Sequence, residues 1–158
     1  MARAYYSTVF AQPAQLVWDV IRDFNNYPVW VDGAASCLIE GGKTGDTVGA
    51  IRNVTYRDRQ IRQRLLALSD TDRSQTYAFC GPASLPVTDF EATLRVTPVV
   101  DGDRAFVEWW ACFDCDPTQG EALTSTLGGW FGGWLESLRR TLTADRLVKP
   151  SESGRQAV

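Results

Sequence analysis

The residue types that could carry chemistry in this chain are limited, because its 158 residues contain no histidine. This excludes catalysis by Ser-His-Asp or Cys-His groups, metal ligation by histidine and proton transfer by imidazole. Carboxylates, arginines, tyrosines and thiols remain as candidates. Cys112 and Cys115 have the C-x-x-C spacing, but residues three apart on a β-strand point to opposite faces of the sheet. We therefore expect no metal site and no bound cofactor.

Three polar side chains stand in runs that are otherwise typical of buried β-strands. Arg52 lies in "GAIRNVT", Gln63 in "IRQRLLALS" and Tyr77 in "SQTYAFC". Side chains alternate between the two faces of a strand, which predicts one inner face that is apolar except at these residues. The other residues expected on that face are Ala50, Val54, Ile61, Leu65, Ala67, Phe79, Phe90, Ala92, Leu94, Val96, Val107, Trp109, Ala111 and Phe113.

An inward Arg52 needs a partner, because an unpaired internal charge is costly. One interpretation pairs it with a carboxylate at the cavity mouth, such as Asp23 or Asp32, or with water. A second makes it the anchor for a carboxylate or carbonyl group of a ligand, and a third leaves it exposed. We expect Gln63 to form a hydrogen bond with a group near Arg52 or with a ligand oxygen. It would not act as an acid or base, because a neutral amide transfers no proton. The nearby run "YRDRQIRQR" is interpreted as a solvated hairpin rather than an anion site.

The elements that must position these residues are about seven strands and a long helix. Residues 3–10 have a β-rich composition, Pro13 suits the first turn of a helix, and "NNYPVW" allows a turn or a second short helix. Six strand-like runs follow without intervening helices, which predicts antiparallel hairpins. The closing helix spans residues 121–147. We expect one domain over residues 1–147 and a disordered tail over residues 148–158.

The closing helix contains "TLGGWFGGWLE", in which four glycines alternate with large aromatic residues. On a helical wheel the apolar residues share one side, and the four glycines lie on the other side with Glu136. Each interior glycine weakens a helix by about 0.8–1 kcal/mol relative to alanine. Our hypothesis is that the glycines loosen this half of the helix, so that Trp130, Phe131 and Trp134 can swing aside and admit a ligand. A close helix crossing in a homodimer is the alternative.

The chain resembles the START-like, or SRPBCC, superfamily, which includes the polyketide cyclase/dehydrase-like and birch-pollen-allergen-like proteins. The resemblance covers about residues 3–146 and rests on "VWDVIRDFNNYPVW", "GDTVGAIRNV", "IRQRLLALSD", "QTYAFC", "DFEATLRVTPV" and "VEWWACF" in this order. It implies an α+β helix-grip fold: a curved antiparallel sheet of about seven strands wrapped around a long C-terminal helix, with two short helices after the first strand. Such a fold tends to enclose a pocket.

Within the superfamily the chain looks most similar to the lachrymatory-factor-synthase-like branch. That branch associates an arginine after "VG", a glutamate before a "KL" pair and a tyrosine on a later strand with its pocket chemistry. Here Arg52 matches the arginine, whereas Gln63 stands in place of the glutamate and Phe90 in place of the tyrosine. The resemblance therefore implies a cavity that lacks the acid/base pair of the branch.

We expect the protein to bind a small, mainly hydrophobic ligand (a lipid, polyketide or aromatic compound), with Arg52 and Gln63 orienting its polar end. The alternative is an enzyme of polyketide cyclase or dehydratase type, in which Arg52 and Tyr77 stabilise an enolate. For the buried aromatic residues, plain core packing competes with ligand contact. The expected ligand-binding residues are Arg52, Gln63, Tyr77, Phe79, Phe90, Leu94, Trp109, Phe113, Trp130 and Trp134.

The composition bears on partners and location. A net charge of −3 is too small to favour a nucleic-acid partner, and no apolar run has the length of a membrane span. The first residues, "MARAYYSTVF", are too polar for the apolar core of a signal peptide. We therefore expect a cytoplasmic protein without stable membrane insertion, present as a monomer or a weak homodimer.

Overall fold

The computed structural model describes residues 1–148, so the predicted disordered tail lies outside the described residues except for Val148, which ends the last helix. The elements are β1 (Ala2–Phe10), α1 (Ala14–Ile21), α2 (Tyr27–Trp30), β2 (Ala34–Ile39), a single 3₁₀ turn (Glu40–Gly42), β3 (Ile51–Tyr56), β4 (Arg59–Ser69), β5 (Ser74–Phe79), β6 (Thr88–Val99), β7 (Arg104–Asp114) and α3 (Gly120–Val148).

The seven strands of the described residues form one antiparallel sheet in the order β1-β7-β6-β5-β4-β3-β2. The chain runs through β2 to β7 as consecutive hairpins, and β1 pairs with β7 at the far side of the sheet. The long helix α3 packs along β1, while α1 and α2 lie between β1 and β2 in sequence. This confirms the expected helix-grip architecture. Among the described residues, no helix combines the length and apolarity needed to span a bilayer.

The inner face of the sheet follows the alternation that the sequence predicts. In β6 and β7 every second residue from Phe90 to Val96 and from Val107 to Phe113 is buried. The expectation for Ala67 is wrong, because this residue is exposed. A bulge between Leu65 and Ala67 shifts the pairing of β4 with β5 and reverses which side chains face inward.

One glycine of α3, Gly132, has a packing role that the helical wheel did not show. A Cβ atom at Gly128 would lie 3.7 Å from the carbonyl oxygen of Tyr5, and one at Gly132 would lie 2.9 Å from Cε2 of Tyr6. Gly132 therefore allows α3 to approach β1 closely, whereas a methyl group at Gly128 would make an ordinary contact; both glycines lie away from the apolar stripe. This contact lies in the half of α3 that carries the aromatic residues.

Candidate functional site

A cavity of about 390 Å³ lies between the inner face of β3 to β6 and the first half of α3. This volume falls within the range of small-molecule sites, about 300–1,000 Å³. The lining is mainly aromatic and aliphatic. The lining residues are Tyr27, Val31, Val54, Tyr56, Arg57, Arg59, Ile61, Gln63, Tyr77, Phe79, Ser84, Leu85, Phe90, Leu127, Trp130, Phe131 and Trp134.

The cavity runs along the β3–β4 hairpin. Tyr56 pairs with Arg59 next to the turn, Val54 pairs with Ile61, and Arg52 pairs with Gln63 further into the sheet. Arg59, Ile61 and Gln63 therefore lie on one face of β4, and a strand rises about 3.3 Å per residue. The cavity consequently extends about 13 Å along β4, from an exposed rim at Arg59 to a polar inner end at Gln63.

Arg52 is completely buried and lies behind the cavity wall rather than in it. Its Nε and one terminal nitrogen donate to Oε1 of Gln63 at 2.8 and 2.6 Å, and the other terminal nitrogen donates to the carbonyl oxygen of Phe24 at 3.1 Å. The guanidinium is stacked between two rings, 3.8 Å from the Phe24 centroid and 3.6 Å from that of Tyr27. Stacking of this kind stabilises a desolvated cation by about 2 kcal/mol.

The prediction that a carboxylate pairs with Arg52 is wrong for the described part of the chain. None of the ion pairs found there includes Arg52, so neither Asp23 nor Asp32 neutralises it. Both aspartates are exposed, and Asp23 accepts a hydrogen bond from the amide of Asn25. Arg52 is instead held by neutral oxygens and aromatic faces, and it joins the corner between α1 and α2 to β4.

Gln63 has a fixed amide orientation because of Arg52. Two guanidinium N–H groups donate to its Oε1, which leaves the Nε2 amino group as the end available to the cavity. Tyr77 contributes a second donor, since its hydroxyl oxygen accepts the indole N–H of Trp109 at 3.1 Å. Burial raises the pKa of Tyr77 well above its usual value, and the neighbouring Tyr27 raises it further, so the hydroxyl keeps its proton.

Some of the expected ligand-binding residues line the cavity, and the others are buried behind its wall. Six of the expected residues line the cavity: Gln63, Tyr77, Phe79, Phe90, Trp130 and Trp134. The other four do not: Arg52, Leu94, Trp109 and Phe113. Trp109 is covered by Phe131, whose ring stacks on it at 4.8 Å with an interplanar angle of 9°. Leu94 and Phe113 are buried on the same face of the sheet. For these three residues, core packing describes the position better than ligand contact.

The two sides of the cavity are joined by a hydrogen bond between the sheet and the helix. The indole Nε1 of Trp134 on α3 donates to the hydroxyl of Tyr56 at the end of β3, at 3.2 Å, and the rings meet edge to face. Trp130, one turn earlier, is partly exposed and lies 6.0 Å from Trp134 between ring centroids. These aromatic residues form the side of the cavity nearest to solvent.

A family model described as "Polyketide cyclase / dehydrase and lipid transport" matches residues 1–144. The chain belongs to this family. No protein of curated function matches the sequence.

Solved structures agree with this family assignment. A protein from Thermobifida fusca is 28% identical, with 98% of this chain and 100% of that chain covered and a TM-score of 0.80. The protein XoxI from Bacillus cereus is 25% identical, with 92% and 99% covered and a TM-score of 0.79. The di-domain ARO/CYC BexL is 15% identical, with 90% of this chain and 47% of that chain covered and a TM-score of 0.76, which shows a shared fold alone.

This member of the polyketide cyclase/dehydrase and lipid transport family has cavity residues that were not predicted from its sequence. Tyr56 and Arg59 were not expected to contact a ligand, yet both line the cavity. The signal was present, because alternation from Val54 leads to Tyr56 and alternation from Ile61 leads back to Arg59. The expected inner face stopped at Val54 and Ile61, two residues short of Tyr56 and Arg59. The turn itself is exposed from Arg57 to Gln60, as expected for a solvated hairpin.

Proposed function

We propose that the protein binds a small, mainly hydrophobic ligand of the lipid, polyketide or aromatic class in the cavity between α3 and the β3–β4 hairpin. The observation that carries this proposal is the cavity itself, with about 390 Å³ of space behind largely aromatic and aliphatic walls. Apolar walls with a few converging polar groups are typical of small-molecule sites. Membership of the family supports the same reading.

In this proposal Gln63 and Tyr77 orient the polar end of the ligand. The Nε2 group of Gln63 and the hydroxyl proton of Tyr77 are both hydrogen-bond donors, so the ligand group that meets them is an acceptor such as a carbonyl or hydroxyl oxygen. Arg52 acts as a positioning residue, since it holds the Gln63 amide and does not line the cavity. The earlier expectation of direct contact between Arg52 and the ligand is replaced by this indirect role.

A pair of tryptophan substitutions on β4 tests the proposal. Ile61 lines the cavity, so Ile61→Trp fills part of it, whereas Gln60 is exposed on the other face of the same strand and Gln60→Trp adds the same bulk outside. The probe is phenylnaphthylamine, an uncharged aromatic compound whose fluorescence rises in apolar surroundings. We expect wild type and Gln60→Trp to bind it and Ile61→Trp to lose most of the binding, with circular dichroism confirming that both variants fold. Equal binding by all three proteins would refute the proposal.

A second candidate function is catalysis of polyketide cyclase or dehydratase type in the same cavity. The observation that favours it is that two neutral donors, Gln63 and Tyr77, line the inner end, where they would stabilise an enolate oxygen while water takes up the proton from the α-carbon. The test is solvent deuterium exchange at the α-carbon of a β-diketone such as benzoylacetone, followed by proton NMR. Exchange that the wild-type protein accelerates and Tyr77→Phe does not would support catalysis. An exchange rate that the wild-type protein does not change would refute catalysis and leave ligand binding as the proposed function.

A further inference from the structure

We propose that the ligand is an amphipathic acid whose anionic group lies at the cavity mouth between Arg57 and Arg59, while its apolar body extends inward toward Gln63. The inference rests on the proposed function, because it names the chemical class of the molecule held in that cavity. Among the described lining residues, the charged ones are these two arginines. This is notable in a chain with 19 acidic residues and a net charge of −3, since no carboxylate is among those lining residues.

Arg57 is held at the mouth by an unusual backbone conformation. Arg57 and Asp58 have φ angles of 45° and 66°, the left-handed values of a two-residue hairpin turn that ordinarily favours Asn-Gly. The amide of Arg57 donates to the carbonyl of Gly33 at 3.1 Å. A Cβ atom on Gly33 would lie 3.3 Å from Cγ of Arg57 and 3.0 Å from the Tyr56 ring. The missing side chain at Gly33 therefore leaves room for Arg57, whose guanidinium lies 5.4 Å from the Tyr56 centroid.

Arg59 approaches the same mouth from the first position of β4. It is two residues from Ile61 and shares the inner face with it. In the described part of the chain neither Arg57 nor Arg59 forms an ion pair, whereas Arg62, on the outer face of β4, is paired with Glu40 at 2.8 Å. The two guanidinium groups at the mouth are thus available to an anion from solution.

The spacing of the polar groups defines the ligand further. Arg59 and Gln63 are four residues apart on one face of β4, or about 13 Å. An anionic group at the mouth would pair with the arginines, and an uncharged oxygen at the other end would accept from Gln63. The apolar body between them would contact Ile61 and the aromatic walls. A carboxylic acid with an elongated apolar body and a distal oxygen meets all three requirements.

Two probes with the same apolar body test the inference. Anilinonaphthalene sulfonate carries an anionic group, and phenylnaphthylamine is the same body without it. Affinities of both are measured for wild type, Arg57→Gln, Arg59→Gln and Arg64→Gln; Arg64 is exposed on the opposite face of β4, so this variant removes the same charge elsewhere. We expect Arg57→Gln and Arg59→Gln each to weaken the sulfonate by about fivefold at low salt and to leave the uncharged probe unchanged.

Each outcome separates the inference from the proposed function. Selective weakening of the sulfonate by Arg57→Gln and Arg59→Gln, but not by Arg64→Gln, supports the anionic group at the mouth. If both probes bind the cavity and all three variants weaken the sulfonate equally, or none does, the inference is refuted and the cavity function stands. If Ile61→Trp leaves the binding of both probes unchanged, neither occupies the cavity, and the proposed function falls together with the inference.

Discussion

Substituting alanine at two neighbouring glycines of α3 should have different effects on stability. Alanine increases helix propensity by about 0.8–1 kcal/mol at either position. At Gly133 the added methyl group meets no atom within 4 Å, so Gly133→Ala should stabilise the protein by that amount. At Gly132 the methyl group would lie 2.9 Å from Cε2 and 3.1 Å from Cζ of Tyr6. Overpacking of this kind costs about 1–3 kcal/mol.

The difference between the two variants isolates the contact with Tyr6, because the propensity term is common to both and cancels. We expect Gly132→Ala to be less stable than Gly133→Ala by about 1–3 kcal/mol. In a protein of this size that corresponds to a difference in Tm of roughly 2–12 °C. The assay is thermal and urea unfolding followed by circular dichroism. Equal stability of the two variants would refute the claim that Gly132 allows α3 to approach β1.

Two further predictions concern charge. Gln63→Glu places a carboxylate against the buried guanidinium of Arg52; we expect it to raise the free energy of unfolding at pH 7 by on the order of 1 kcal/mol and to lose this gain as the pH falls below about 4, where the carboxylate is protonated. Urea unfolding at both pH values measures this, and destabilisation at pH 7 would contradict it. Arg22 lowers the pKa of Asp70 to about 2, and a carboxylate whose pKa is lowered by folding stabilises the protein above its unfolded pKa of about 4. Wild type should therefore lose stability between about pH 4 and pH 2, and Asp70→Asn should show a shallower loss over that range; parallel curves would contradict this.

The sequence predicted the sheet and its inner face because both follow from alternation and from hairpins without intervening helices. Gln63, Tyr77, Phe79 and Phe90 lie in the cavity because β-strand alternation depends only on local chain geometry. Alternation does not tell how far the helix stands from the sheet at each point. Trp109 lies on the predicted face of the sheet, but Phe131 of α3 covers it. Trp109 is therefore part of the core behind the cavity wall and does not line the cavity.

The groups that hold Arg52 could not be predicted from the sequence. The groups that hold the guanidinium, the carbonyl of Phe24 and the ring of Tyr27, come from the corner between α1 and α2, whose position depends on the whole fold. A helical wheel likewise gives the direction of Gly132 but not the neighbour that it meets. The hypothesis that the four glycines loosen this half of α3 stays a prediction. Hydrogen exchange tests it, since amides 126–134 should then exchange faster than amides 136–144.

The most direct test of the proposed binding cavity is an NMR titration of the labelled protein with phenylnaphthylamine. Shifts of the side-chain amino signal of Gln63, the indole signals of Trp130 and Trp134, and the amides of β3 and β4 are predicted, because these groups surround the cavity. Shifts confined to the outer face of the sheet, where Arg95 and Trp110 line a separate groove, would contradict the account, since a ligand would then bind the protein without entering the cavity.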